Sequence, residues 1–478
     1  MPRFIIVFLL LVVACKPKGT PPPTPYGPVP TPAQLAWHRM ETNAFIHFSI
    51  NTFTDLEWGM GSEPESLFNP TQLDVKQWVS VLKGAGFKGI ILTTKHHDGF
   101  CLWPSQYTSH SLRNSPYLGG KGDIVKALAE ETRAAGLQFG IYVSPWDRNH
   151  AEYGKPTYIT YYRNQLQELF NSYGPIFEMW FDGANGGDGY YGGANEKRSI
   201  NGATYYDWPT TIAQVRKMND QVIFFSDAGP SVRWVGNERG VAGLTNWNTI
   251  SVDTLYAGKA GIEGLLNSGA EGGTSWIPAE VDVSIRPGWF YHAKEDSLVK
   301  TPQQLFDIYM SSVGRGSTLL LNVPPDRRGL IHERDAESLR QWRKLLDETF
   351  ATNLAQFASV SASNVRGNDT TYRAGHLLDN DPDTYWAADE GVTTDTLNFI
   401  FNDNQRPKYV MLQEAIQFGQ RVKSFEVQVL DGDWYTVGTG TTIGYKRILP
   451  IEQYGVLELR IIIKESLAAP VLSTVAFY

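Results

Sequence analysis

The chain is 478 residues long, too long for one ordinary domain, and its 42% hydrophobic content is enough for a large buried core. A formal charge of -8 at pH 7 and a pI near 5.7 argue against a nucleic-acid or anionic-membrane surface, since an acidic protein is attracted to neither, and point to an uncharged partner. Aromatic residues are 13% of the chain, including 14 Trp and 23 Tyr; beyond core packing, such a surplus suits clefts that stack flat rings on the C–H faces of sugars.

The first residues read as a targeting segment. Arg3 precedes the apolar run 4–14, too short to span a bilayer, and Cys15 follows. Residues 12–15, Val-Val-Ala-Cys, resemble a bacterial lipoprotein signal. That resemblance implies cleavage before Cys15, lipidation of its thiol, a cell-envelope location and membrane contact only through the lipid; a plain secretory signal is the alternative. Residues 16–32, rich in Pro and Thr, read as an extended tether. Cys101 then has no intrachain partner in the mature protein, so neither a disulfide framework nor a catalytic thiol is expected.

Strand-like and helix-like segments alternate over 33–350. The runs 44–50, 89–97, 139–146, 178–182, 222–227, 280–285 and 317–323 look like strands, and 73–85, 124–135 and 158–173 carry apolar residues at helical spacing. Repeated βα units predict a TIM-like (β/α)8 barrel of the α/β class. The eighth strand is not evident, and 240–248 is the candidate. Near-continuous apolar runs suit strands covered on both faces, and the polar groups at their C-terminal ends mark where such barrels keep their chemistry. Three runs end that way: 178–184 on Asp182, 89–98 on His96 and His97, and 139–146 on aromatic and hydroxyl groups. Residues 186–201, rich in Gly, Tyr and Asn, read as an elaborated loop beside Asp182.

A charged helix over 333–350 closes the barrel region. Over 351–478 the pattern shifts to short alternating runs such as 425–429 and 456–463, separated by Gly and Asp turns, which predicts an antiparallel β-sandwich. Residues 378–386 resemble a loop of discoidin-like, galactose-binding-like modules. The module is expected either to bind glycan or to pack on the barrel. Asp379, Asp381 and Asp383 alternate as the ligands of a structural calcium would.

Hydrolysing a glycoside requires one carboxylate at the anomeric carbon and an acid to protonate the departing oxygen, about 5–5.5 Å apart in retaining enzymes. Asp182 is the first candidate; for the second, residues 225–240 offer both Asp227 and Glu238. Six motifs bear on the choice: His47 within Phe-Ile-His-Phe-Ser, Glu57-Trp58-Gly, Lys95-His96-His97-Asp98, Trp180-Phe-Asp182-Gly, Arg233-Trp-Val-Gly-Asn-Glu238 and Ser284-Ile-Arg-Pro-Gly-Trp289. Together, in order across 33–348, they resemble an α-L-fucosidase of glycoside hydrolase family 29. Residues 229–238 are similar to the subfamily that acts on fucose linked α-1,3 or α-1,4 to a GlcNAc branch, as in Lewis-type glycans.

The resemblance implies a retaining exo-α-L-fucosidase with Asp182 as nucleophile and Glu238 as acid/base, leaving Asp227 structural. It also implies that His47, Glu57, His96, His97, Tyr142 and Arg233 bind substrate through polar contacts while Trp58, Trp180 and Trp289 pack on apolar faces of fucose. Its partners would be fucosylated oligosaccharides or glycoconjugates. Met60 departs from the acidic residue expected in the Glu57 turn, and 186–201 is long; both bear on subsites beyond fucose. No catalytic cofactor or active-site metal is expected, because adjacent histidines on a strand point to opposite faces and no H-x-H or H-E-x-x-H spacing occurs. Three alternatives are a catalytically silent glycan-capturing lipoprotein, a fucosidase with α-1,2 or broad linkage preference, and a metal-dependent hydrolase on the same barrel.

Overall fold

The structure, a computed structural model, describes residues 19–452 and 455–478, so Cys15 and the lipoprotein signal expected over residues 1–15 lie outside the described residues. Eight parallel strands close into a barrel: β1 (Thr42–Ile46), β2 (Gly89–Lys95), β3 (Gln138–Val143), β4 (Glu178–Trp180), β5 (Ile223–Ser226), β6 (Val232–Trp234), β7 (Ala279–Ser284) and β8 (Thr318–Asn322). They follow one another around the barrel in chain order, and β8 returns to pair with β1, setting Phe45 opposite Asn322. The expected (β/α)8 architecture is the observed one, but the eighth strand is Val232–Trp234 and not 240–248. Three residues with an arginine at the centre leave no apolar run to detect. Residues 240–248 form no strand of the barrel and instead run to the C-terminal sheets.

Strand parity sorts the side chains. Phe45, Ile91, Tyr142, Trp180, Phe225 and Leu320 form an interior cluster, while Ile46, Leu92, Ile141, Met179, Phe224, Val281 and Leu321 face the surrounding helices. Several helices begin on side-chain caps. Asp74 accepts the Lys76 and Gln77 N–H groups at the start of Val75–Gly84, and Asp123 accepts Lys126 N–H at the start of Ile124–Ala134. Beneath the barrel, Thr31 and Gln34 form a capping box on Pro32–His38, which carries Trp37 into the interior cluster.

Residues 351–478 form two antiparallel sheets. Five strands, from Ala358–Ala362 through Asp395–Gln405, Val456–Ser466 and Val422–Asp431 to Asp433–Gly440, face four others that include Tyr409–Glu414 and Val471–Phe477. This sandwich is joined to the barrel by packing. Met411, Ile448 and Ala476 belong to the same apolar cluster as the barrel helices. The 240–248 segment adds hydrogen bonds: Asn246 N–H to Thr442 Oγ1 (2.8 Å), Asn248 N–H to Gln420 Oε1 (2.7 Å) and Arg447 to the Leu244 carbonyl (2.8 Å).

The Pro-rich segment before the barrel runs along the same sandwich. Extended proline-rich backbone has no internal hydrogen bonds, so its carbonyls are free to accept from outside. Tyr372 donates to Thr20 O (3.0 Å), Arg366 to Pro21 O (2.8 Å) and Arg421 to Thr24 O (2.6 Å). In the loop of Asp379, Asp381 and Asp383, Asp379 accepts Asp381 N–H and the Thr384 hydroxyl, Asp381 accepts Asp383 N–H, and Asp383 pairs with Arg39. Among the described residues no group of three or more His, Cys, Asp or Glu is arranged to hold a metal ion.

Candidate active site

At the C-terminal mouth of the barrel lies a cavity of about 420 Å³. Asp182, two residues past β4, reaches it with 25% of its side chain exposed. Its Oδ1 accepts Ala184 N–H at 2.7 Å and its Oδ2 accepts the Tyr142 hydroxyl at 2.8 Å. Tyr142 is buried on β3, and burial followed by the Asp182 charge pushes its pKa well up, so it stays a phenol that can donate. The carboxylate is oriented from two sides and open to the cavity on the rest.

Glu238 faces the same cavity from the loop after β6. Burial raises its pKa first, the Trp289 indole N–H at 3.4 Å opposes, and the charges of Asp182 and Glu57 raise it further. Asp227 is placed differently. It lies outside the cavity lining, where its Oδ2 accepts Gly258 N–H at 2.7 Å and packs against Gly183, with burial pushing its pKa up to about 6.

Three imidazoles line the wall opposite. His47 and its own N–H both meet Asn322 Oδ1, with the ring Nδ1 at 2.8 Å; since that oxygen only accepts, Nδ1 carries the proton and Nε2 is left as an acceptor. The Asn322 amide is fixed in turn by donating to Ser284 Oγ and the Trp289 carbonyl. His97 Nδ1 lies 2.7 Å from Ser144 Oγ, whose own proton goes to the Trp146 carbonyl, so His97 is likewise protonated on Nδ1. Its Nε2 lies 3.8 Å from Asp182 Oδ2. Burial lowers the pKa of His47 to about 3; burial lowers that of His97 to about 4 against the pull of Asp182, and that of His96 falls well below its usual value. All three are therefore neutral near pH 7, presenting hydrogen-bonding nitrogens without charge.

The structure corrects two expectations. His96 and His97 are not on opposite faces of a strand: β2 ends at Lys95, the chain turns, and the two rings lie side by side with centroids 4.1 Å apart, both lining the cavity. Arg233 is not in the cavity. Val232 and Trp234 point inward, so parity sends Arg233 outward, where its guanidinium is fully buried and donates to the carbonyls of Leu266, Ile277 and Trp247 and to Asn246 Oδ1. Those contacts are to the protein itself, and the fully buried guanidinium lies outside the cavity lining.

The aromatic residues divide by layer. Trp180 lies on the floor, stacked on Phe225 at 3.8 Å between centroids; Trp289 forms a wall; Trp58, 56% exposed, stands at the rim edge-on to His97 and Trp146. Leu56 and Met60, 41% and 42% exposed, flank Trp58 in sequence. Sequence reasoning missed Asn322, Ser144 and Asp282. Asn322 ends an apolar strand as Asp182 follows one, and that signal was there to be used. Asp282 lines the cavity from β7 and accepts the Trp234 indole at 2.9 Å, with burial, then Glu238, raising its pKa well up. The expected cavity lining is otherwise brought together: His47, Glu57, Trp58, His96, His97, Tyr142, Trp180, Asp182, Glu238 and Trp289 all meet here.

One carboxylate held by a phenol, a second carboxyl with a raised pKa and a set of neutral donors and acceptors between aromatic faces suit acid–base chemistry on an uncharged, polyhydroxylated molecule. A sequence model of the α-L-fucosidase family matches residues 32–349. Alpha-L-fucosidase 1 of Arabidopsis thaliana is 40% identical over 467 residues, covering 96% of this chain and 89% of that protein. Among solved structures, a glycoside hydrolase 29 family member from an unknown rumen bacterium superposes with a TM-score of 0.85 at 42% identity, over 95% of this chain and 78% of that one. A Ruminococcus gnavus GH29 fucosidase in complex with fucose gives a TM-score of 0.86 at 32% identity, over 96% and 97%. The chain belongs to the α-L-fucosidase family, glycoside hydrolase family 29.

Proposed function

We propose that this fucosidase is a retaining exo-enzyme that releases L-fucose by double displacement, with Asp182 as nucleophile and Glu238 as acid/base. The observation that supports this assignment best is that Asp182 and Glu238 face one cavity while Asp227 is turned away onto the Gly258 amide. Asp182 attacks the anomeric carbon as Glu238 gives its proton to the departing glycosidic oxygen; the resulting glycosyl ester is hydrolysed by a water that returns a proton to Glu238. The raised pKa of Glu238 suits the donor role. His47, His96, His97, Glu57 and Tyr142 would take the sugar hydroxyls, and the aromatic faces the methyl group and C–H edges. A site built to hydrogen-bond several hydroxyls at once rejects sugars that leave its groups unpaired.

For the leaving side, the reading is α-1,3- and α-1,4-linked fucose on a GlcNAc branch. Support comes from the likeness of residues 229–238 to that subfamily and from Trp58, an exposed aromatic ring at the cavity on which a further sugar could rest. Turnover of fucosylated oligosaccharides that differ only in linkage tests this. Faster cleavage of the branched α-1,3 and α-1,4 isomers is expected, and preference for a linear α-1,2 isomer would overturn the linkage while leaving the fucosidase in place. The signal-like residues 12–15 support an envelope lipoprotein, and incorporation of labelled lipid that is lost in Cys15→Ala tests it.

A further inference from the structure

Glu57, which walls the cavity beside Trp58, is gripped from behind. Its Oε2 accepts Trp289 N–H at 2.9 Å; its Oε1 accepts Phe290 N–H at 3.2 Å and lies 2.6 Å from His292 Nε2. The other ring nitrogen, Nδ1, lies 2.7 Å from Asp55 Oδ1. An imidazole with a carboxylate oxygen on each nitrogen satisfies both only with a proton on each, that is, as the imidazolium. The His292 side chain is 5% exposed, while the Asp55 and Glu57 side chains are 47% and 37% exposed, so a buried cation sits between two anions that reach solvent.

The groups around the ring agree with this. Burial lowers the His292 pKa, but the hydrogen bonds and charges of Asp55 and Glu57 outweigh it and the net direction is up; the hydrogen bond from His292 in turn lowers that of Asp55. Glu295 approaches from the following turn, where its Oε2 accepts Gly288 N–H at 3.0 Å. Lys294 and Arg327 lie on the Asp55 side, Arg327 at 3.9 Å. A Cβ on Gly288 would collide with Glu57 Oε1 and crowd His292, so the turn leaves the clamp no slack.

We propose that His292 is a positioning residue for the sugar site: held between Asp55 and Glu57, it fixes Glu57 as a charged acceptor for sugar hydroxyls and, through the Trp289 and Phe290 amides, sets the wall that carries the Trp289 ring. That ring meets Glu238, so the clamp also bounds the acid/base side. The proposal rests on the cavity being the fucose site. It makes Glu57 binding depend on a proton at His292, so sugar affinity weakens as pH rises through the elevated His292 pKa.

The test measures kcat and KM for an aryl α-L-fucoside, and inhibition by free L-fucose, across pH for the wild type, His292→Gln and Asp55→Asn. His292→Gln should raise KM about tenfold with kcat changed by less than about threefold, and should lose the alkaline rise of KM seen in the wild type. Asp55→Asn alters a half-exposed side chain, keeps the ring, and should move that rise to lower pH with an unchanged melting temperature; it carries the test if His292→Gln fails to fold. A wild-type KM profile in Asp55→Asn, or a fall in kcat alone in His292→Gln, overturns the clamp. A wild type that neither turns over the fucoside nor binds fucose overturns the reading of the cavity, and the clamp with it.

Discussion

The Tyr142 hydroxyl stands 2.8 Å from Asp182 Oδ2 and donates to it, while the Ala184 amide holds Oδ1 at 2.7 Å. The phenol comes from β3 and the carboxylate from the end of the adjacent β4, strands held in register by Tyr142 opposite Trp180. A nucleophile held this way attacks without first having to be oriented, and the donor stabilises it again as a leaving group in the second step. Tyr142→Phe should therefore lower kcat on an aryl fucoside by about 10- to 100-fold with a smaller change in KM, as loss of one donor to a charged group does. An unchanged kcat would remove Tyr142 from the mechanism.

Asp182 and Glu238 should be separable by leaving group. Asp182→Ala should be nearly inactive on every substrate. Glu238→Ala should lose natural glycans severely, yet keep much of its activity on an activated aryl fucoside that hardly needs a proton, and added azide should partly rescue it. Asp227→Asn should act chiefly on stability, because its contact is the Gly258 amide. Equal loss on both substrate types in Glu238→Ala without rescue would move the acid role elsewhere.

With Glu238 as the proposed acid, its elevated pKa should set the alkaline limb for natural glycans. Activity on these substrates falls as pH rises through that value, since the acid form is consumed, whereas the activated aryl fucoside is less affected. The fold responds at the other end. Burial holds the His47 and His97 pKa values at about 3 and about 4, below the ordinary value of 6.5, so in that window these two side chains bind more protons when unfolded and their contribution to stability rises with pH. The destabilising contribution of His47 should grow as pH falls from about 6.5 to 4, read as the difference in melting temperature between the wild type and His47→Gln narrowing or reversing across that range.

Arg233→Met should destabilise rather than weaken substrate binding. It strands the buried carbonyls of Leu266, Ile277 and Trp247 and should cost about 2–4 kcal/mol of stability by chemical denaturation, with KM near the wild-type value in the protein that remains folded. A large rise in KM without loss of stability would restore it to the substrate set.

Removing 351–478 should produce an aggregating barrel, because Met411, Ile448 and Ala476 complete an apolar cluster that includes barrel residues. A milder probe is Arg366→Ala, which frees the Pro21 and Pro22 carbonyls and should increase proteolysis at 19–28 while leaving kcat untouched. A soluble, fully active truncation with an unchanged melting temperature would show the sandwich to be an appendage.

The barrel was legible because its strands are buried on both faces and read as apolar runs, and Asp182 was legible because a carboxylate directly after such a run has few structural uses. Val232–Trp234 is hard to see because three residues with a central arginine match no strand pattern, and without that strand nothing in the sequence corrects the placement of Arg233 in the cavity that the family resemblance implies. Opposite faces for His96 and His97 would need the strand to continue past Lys95, where it ends. The partners of the site were invisible for another reason: Asn322, Ser144 and His292 act on residues 275, 47 and 235 positions away, and only barrel closure brings them together.

Double displacement at Asp182 is tested most directly by the stereochemistry of the first sugar released. Proton NMR during hydrolysis of an aryl α-L-fucoside should show α-L-fucose appearing first, with the β anomer growing in later by mutarotation. β-L-Fucose as the initial product would mean a single displacement by water and would contradict the account.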